Sequence, residues 1–379
     1  YKNRFYDNSW TVGEWLISYA GGFVRRGLPG QIIHFVSNSF SISPILLVWF
    51  FSIASLVSLT ALLFYFCKDL FKKSFLLSQL MILAPISEDY FIRKDCFIVL
   101  LYGLSLFAIK KYYQKNSNQI SCILSVNFFS IIAILSHESY GIWGLPSLIF
   151  IFCLIQRSKK KKFITSIFQG LLNLLPSLFI FLLCWIFKGT INQSLIIHES
   201  WQSLKEILPS TGALYEIQPK GAIAAIGIDS FRIYSSTLIN QFNLLIFWHP
   251  GMWFLTFYLV MKFFIGPDKN IYQDAKRFIL CSQFIVFLPM FYMVDIGRWI
   301  FMWLTSSALL FSFLHQTFGF RKLFYFSSSL RGEQILTNII PTFSSIRIYN
   351  YILLFFGIPH CCWSLGRYLV SNPVGFGIK

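Results

Sequence analysis

The stretch from Asp7 to Gln31 holds two carboxylates, Asp7 and Glu14, and two adjacent guanidiniums, Arg25 and Arg26, set apart by Gly21-Gly22 and followed by Gly27-Leu28-Pro29-Gly30. A carboxylate can take a proton from a hydroxyl. A guanidinium can hold phosphate through its planar fork. Asp7 and Glu14 are seven residues apart, two turns along one helical face. A second cluster, Glu88-Asp89 with Arg93-Lys94-Asp95, packs five ionisable residues into eight positions. Its acids could bind a divalent cation or position a nucleophile, and Arg93 and Lys94 could hold phosphate. A third is His137-Glu138 between Ser136 and Ser139, where the acid could hold the imidazole in one tautomer and leave the other nitrogen for a substrate. A fourth is Asp295-Ile296-Gly297-Arg298-Trp299, with acid and guanidinium three apart across a glycine. His198-Glu199-Ser200 repeats the third triplet, but Gly141 and Gln202 stand where HExxH would need its second histidine, so a zinc-protease motif is excluded.

The elements that must position these groups follow from composition. Of the 379 residues 56% are hydrophobic and only 12% charged, against roughly a quarter charged in soluble domains. So few ionisable groups cannot cover a water-facing surface of this size. The apolar runs approach the ~20 residues a bilayer requires and do not alternate as barrel strands do. The expected fold is therefore all-α, a polytopic transmembrane bundle of about ten helices. The runs fall near 44–66, 74–88, 95–110, 120–136, 140–156, 163–187, 243–265, 278–294, 298–315 and 350–370. Amphipathic juxtamembrane helices are expected near the N-terminus, with Trp10, Trp15, Leu16, Phe23, Leu28, Ile32, Ile33 and Phe35 on their apolar side. No leader core is visible after Tyr1, and a membrane helix preceding it is expected.

The net charge of +17 is explained by topology, not by nucleic acid, for which no motif is present. Lysines and arginines crowd the connections after the odd-numbered runs, and the positive-inside rule makes those connections cytoplasmic. All four mixed-charge clusters then lie on the opposite, extracytoplasmic face. The expected division is 1–43, an extracytoplasmic juxtamembrane segment; 44–187, a first transmembrane group; 188–242, an extracytoplasmic loop with a short helix near 195–208; and 243–379, a second transmembrane group with a cytoplasmic loop near 321–349. The eight cysteines lie mostly in or beside apolar runs, where cysteine behaves as a small hydrophobe, and show no metal-ligand spacing. Neither a zinc site nor a disulfide framework is expected, and the cation that Glu88-Asp89 could hold is the metal the sequence leaves open.

Read together, the clusters describe one polar cavity at the outer lipid–water boundary. Transfer of a sugar from a polyprenyl-phosphate or pyrophosphate donor needs the parts present: an apolar groove for the tail, cations for the phosphate or pyrophosphate, a carboxylate base for the acceptor, and charge stabilisation for the departing phosphate. Asp7, Glu14, Glu88 and Asp89 are the catalytic candidates. Arg25, Arg26, Arg93, Lys94, Asp95, His137, Glu138, Asp295 and Arg298 are the substrate-binding ones. The layout of YDNSWTVGE and SEDYF in the first hundred residues resembles the GT-C superfamily of integral-membrane glycosyltransferases. That resemblance implies an acid of the first outward loop at the reaction centre and a second acidic motif in the next. The chain is also similar in layout to O-antigen-type polysaccharide polymerases, which implies roles for Arg25, Arg26 and Arg298. Both imply cell-envelope glycan assembly in a bacterial plasma membrane, with membrane lipids as neighbours. The competing classes are a lipid-linked saccharide flippase and a non-catalytic scaffold subunit. Convergence of the clusters favours the enzyme, and a cavity continuing to the other membrane face favours the flippase.

Overall fold

In a computed structural model, the structure describes residues 9–71, 73–78, 81–87, 90–114, 117–204, 218–226, 251, 253–258, 260–261, 271–291 and 296–319. Among them the regular structure is helical, and no strand occurs. The helices are α1 (Thr11–Trp15), α2 (Gly27–Phe40), α3 (Pro44–Cys67), α4 (Lys73–Leu76), α5 (Leu83–Ser87), α6 (Asp95–Tyr113), α7 (Gln119–Ser136), α8 (Ser139–Ser158), α9 (Phe163–Asn173), α10 (Leu175–Ile186), α11 (Ile191–Gln202), α12 (Gly221–Ala225), α13 (Ile271–Phe287) and α14 (Ile296–Phe318).

Among the described residues five helices are long and apolar enough to cross a membrane: α3, α6, α7, α8 and the Gly297–Phe318 part of α14. Counting the α9–α10 pair as one span makes six. Among the described residues the expected runs take the following forms. The run at 74–88 contains the short helices α4 and α5 instead of one span. Pro85 lies in the first turn of α5, where its missing N–H is harmless, whereas inside a through-helix it would remove a backbone bond. The run at 278–294 begins earlier, at Ile271, and passes after Phe287 into a 3₁₀ turn containing Pro289. The run at 163–187 bends by 65° between α9 and α10, with Pro176 at the start of α10. The run at 243–265 is described only in part, being helical at 253–258. The run at 350–370 and the loop at 321–349 lie outside the described residues.

The bend is held by one side chain. Asn127 of α7 donates through Nδ2 to the Asn173 carbonyl (2.7 Å) and to its own helix at Ile123 (2.9 Å). Its Oδ1 accepts from the Ser177 N–H (3.2 Å) and hydroxyl (2.7 Å). Asn173 and Ser177 flank the break, so backbone groups displaced by the proline find partners away from lipid, as a broken membrane helix requires.

The described residues fall into two compact units, with chain bounds Tyr1–Leu59, Tyr90–Ile109 and Asn118–Asn240 for one, and Thr60–Asp89, Lys110–Ser117 and Gln241–Lys379 for the other. In the first, α8 packs on α9 and α7 on α10. The exposed residues Ile120, Leu124 and Phe128 of α7 and Leu175, Phe179 and Leu182 of α10 are apolar, the pattern of a lipid-facing surface. A separate apolar cluster gathers α1, α2, α11 and α12 around Trp15, Leu16, Ile17, Ile33, Ile197, Trp201 and Ile223. Trp201 Nε1 donates to the Leu16 carbonyl (2.9 Å) and Ser194 Oγ to that of Ile223 (2.8 Å). The expected short helix near 195–208 is thus α11, at Ile191–Gln202. The aromatic set expected on one face of the N-terminal segment is divided: Trp15, Leu16 and Ile33 are core, while Trp10, Ile32 and Phe35 are exposed. In the second unit α13 packs on α14, and Trp253, Phe284 and Trp303 form an aromatic cluster whose rings meet tilted or edge to face.

Candidate functional site

Four separate pieces of the first unit deliver charge to one place. The first is α1, a five-residue helix whose Glu14 is buried. The second is the turn before α2. Arg26 caps that helix in the left-handed region, φ 67° and ψ 7°, a conformation that a non-glycine residue adopts at a cost of about 1 kcal/mol or more. Gly30 allows α2 to approach α1 closely: a Cβ there would lie 2.0 Å from the Ile17 carbonyl oxygen. Arg25 is fixed by its own N–H, which donates to the Phe187 carbonyl at the end of α10 (3.0 Å).

The third piece is the two-residue link between α7 and α8. His137 is extended and ends α7, its N–H donating to the Ala133 carbonyl (2.8 Å), and Glu138 opens α8. The fourth is Lys94, just ahead of α6, fully buried. Its Nζ donates to the carbonyls of Arg26 (3.1 Å) and Ser136 (3.2 Å) and lies 6.0 Å from the centroid of Trp15. Trp15 is itself anchored by its indole N–H on the Ile92 carbonyl.

Glu138 is the hub. Arg26 grips it with a two-point fork, Nε to Oε2 at 2.7 Å and Nη2 to Oε1 at 2.6 Å. Arg25 Nη1 adds a third bond at 3.2 Å. Burial pushes the Glu138 carboxyl up, but Arg26, Arg25 and His137 together outweigh it and hold the group well below the usual carboxylate range. Glu14 forms the second pole: Oε1 lies 3.6 Å from Arg26 Nη1 and 3.4 Å from His137 Nε2. The Ser139 N–H donates to His137 Nδ1 (3.3 Å). A neutral imidazole so held carries its proton on Nε2 and presents it to Glu14. Exposure is graded: the Arg26 and Arg25 side chains are 26% and 15% exposed, whereas Glu138 is 10% and Glu14 4%. The guanidiniums stand outermost and the acids lie behind them.

Burial pushes Lys94 down to about 7, with the nearby Arg26 charge acting the same way and Glu14 and Glu138 opposing. An ammonium removed from water but tied to two carbonyls behaves so.

Of the residues singled out by sequence, Glu14, Arg25, Arg26, Lys94, His137 and Glu138 are thus brought together. Arg93 and Asp95 flank Lys94, with Asp95 buried in the first turn of α6. Arg298 belongs to the second unit, where its guanidinium stacks 5.7 Å from the Trp299 ring. Trp299, expected at the membrane interface, is buried. Asp7, Glu88, Asp89 and Asp295 lie outside the described residues. His198 contacts Gln202 one turn on (3.3 Å) and Glu199 is exposed. Sequence reasoning placed Trp15 only on an apolar face, whereas it floors the site beneath Lys94. It missed the Ser139 N–H, which donates to His137 Nδ1 (3.3 Å); a backbone donor leaves no mark in side-chain types. Among the described residues no three His, Cys, Asp or Glu side chains converge as metal ligands would.

No curated protein and no solved structure matches the chain. A family described as "Uncharacterised membrane protein Rv1490" matches residues 5–198, slightly more than half of the 379, and that span contains all six clustered residues. Charge gathered at the ends of apolar helices agrees with the family's description, and the chain belongs to this family of integral membrane proteins.

Proposed function

We propose that this protein transfers a sugar from a polyprenyl-phosphate-linked donor, or polymerises such lipid-linked units, at the extracytoplasmic surface of a bacterial plasma membrane. The observation that carries the reading is the graded site, with two guanidiniums outermost and a glutamate–histidine pair buried behind them. An anionic phosphodiester fits the outer layer, where Arg25 and Arg26 stabilise the charge that grows on the departing phosphate. Glu14 takes the proton of the acceptor hydroxyl, and His137 holds it in place through Nε2–H. Glu138 orients both arginines. The exposed apolar faces of α7 and α10 suit a prenyl tail. In placing an acid of the first outward loop at the site, this arrangement resembles the layout of GT-C glycosyltransferases.

The test is the release of farnesyl phosphate from a panel of farnesyl-phosphate-linked monosaccharides by the protein in nanodiscs. Wild type is expected to release it from at least one donor in the presence of an acceptor, and Glu14→Gln to be about 100-fold slower or worse. A full rate in Glu14→Gln removes Glu14 as the base. Failure of wild type on every donor defeats the transferase reading.

A further inference from the structure

The sequence places Lys94 among the phosphate ligands of a turn. The structure turns its ammonium inward, onto two backbone carbonyls. One of them belongs to Arg26, the residue in the left-handed conformation, and the other to Ser136, the last residue of α7. Lys94 therefore joins the start of α6, the entry to α2 and the end of α7, the same points that carry the arginines and the His137-Glu138 link. It also decides the charge balance. Glu14 and Glu138 offset Arg25 and Arg26, so the surplus of the cluster is the charge on Lys94.

Resting on the phosphodiester reading above, we propose that Lys94 is a positioning residue that supplies the net positive charge of the anion site without touching the ligand, so that anion binding takes up a proton and weakens as pH rises. The groups facing it are Glu14 from α1, Arg25 and Arg26 before α2, His137 and Glu138 between α7 and α8, and Arg93 and Asp95 beside it in the chain. Of these, the arginines do not titrate, and Glu138 is held ionised by its guanidiniums. His137 and the buried carboxyls of Glu14 and Asp95 are the groups that could imitate the effect, and the Lys94→Met variant separates them from Lys94. With the free-site ammonium at about 7, the amine form takes over above neutrality. A bound anion favours the ammonium, which gives the sign: affinity is highest on the acid side and falls through pH 7 to 8.

The probe is farnesyl methyl phosphate, a phosphodiester whose single charge is constant across this range. Its binding to the full chain in nanodiscs is measured by calorimetry from pH 6 to 8.5, in buffers of different ionisation enthalpy. Dimethyl phosphate serves as the arm without a tail, and tight binding of it alone would mark a site for free phosphate esters instead of lipid headgroups. Wild type is expected to bind about tenfold more weakly at pH 8.5 than at pH 6 and to take up a fraction of a proton near pH 7.5. Lys94→Met is expected to bind weakly at every pH with no proton uptake, and His137→Gln to keep the pH dependence. Affinity in wild type that ignores pH, or a dependence that survives in Lys94→Met, overturns the proposal and leaves the phosphodiester reading standing. No binding of either ester to wild type at any pH overturns both. Proton uptake on wild type tests the pH dependence whether or not a variant folds, and the comparison of Lys94→Met with His137→Gln assigns it.

Discussion

Replacing Glu138 by glutamine should cost this fold about 3–5 kcal/mol. The carboxylate accepts three guanidinium bonds, at 2.6, 2.7 and 3.2 Å, with its side chain 10% exposed. Hydrogen bonds to charged groups are worth ~1.5–3 kcal/mol each, and a unit pair ~4 Å apart at an effective dielectric of ~20 about 4 kcal/mol. Glutamine preserves the shape and one acceptor, but it leaves two guanidiniums facing a neutral amide. Removing one partner of a buried pair typically costs ~3–5 kcal/mol, and the partial exposure of the arginines places the expectation towards the lower end. The assay is reversible unfolding in bicelles by added dodecyl sulfate, followed by tryptophan fluorescence. It is run on Glu138→Gln, Arg26→Gln and the double variant. A coupling of more than ~1 kcal/mol between the two sites is expected. A loss below ~1 kcal/mol, or simple additivity, would refute the claim that Glu138 is the hub. Acidification supplies an independent reading. The folded carboxyl is held below its unfolded value of ~4.3, so its contribution is complete above that pH and is lost as pH falls through the lower folded value. Wild type should therefore shed stability below about pH 4.3 by an increment that Glu138→Gln lacks.

Two further outcomes test the scaffold. Asn127→Leu removes the donor to the Asn173 carbonyl and the acceptor for Ser177 at the α9–α10 break; with membrane hydrogen bonds averaging ~0.6 kcal/mol each and an orphaned backbone group costing more, the same unfolding assay should register a loss of about 2 kcal/mol, and an unchanged midpoint would contradict the role given to this side chain. Gly30→Ala would set a methyl 2.0 Å from the Ile17 carbonyl oxygen and should cost at least ~2 kcal/mol, whereas Gly251→Ala, with nothing within 4 Å of the added carbon, serves as the control and should not.

The membrane class was legible because scarcity of charge is a property of the whole chain and needs no coordinates. The spans α3, α6, α7 and α8 follow apolar runs whose ends are marked by polar residues; Asn118, for instance, caps α7 by accepting from the Ser121 N–H (2.7 Å). The run at 163–187 read as one helix because hydropathy sums side chains and takes no account of a missing backbone N–H, so the Pro176 bend stayed hidden. Asn127 looked like a tolerated polar residue within an apolar run, since its partners at Asn173 and Ser177 lie about 50 positions away.

Ionisable groups near hydrocarbon need a reason, and by that rule the sequence alone singled out Glu14, Arg25, Arg26, Lys94, His137 and Glu138 as worth watching, the first three in a juxtamembrane segment and the others in turns between apolar runs. Which of them meet was decided by tertiary structure, because residues 14, 26, 94 and 138 are neighbours only once α1, α2, α6 and the α7–α8 link share one end of the first unit. Tertiary structure also decided their roles. It turned Arg26 outward to form a fork on Glu138 and Lys94 inward onto carbonyls, since a buried charge is stable only where oxygen atoms from other segments surround it, and no local stretch of this chain contains enough of them.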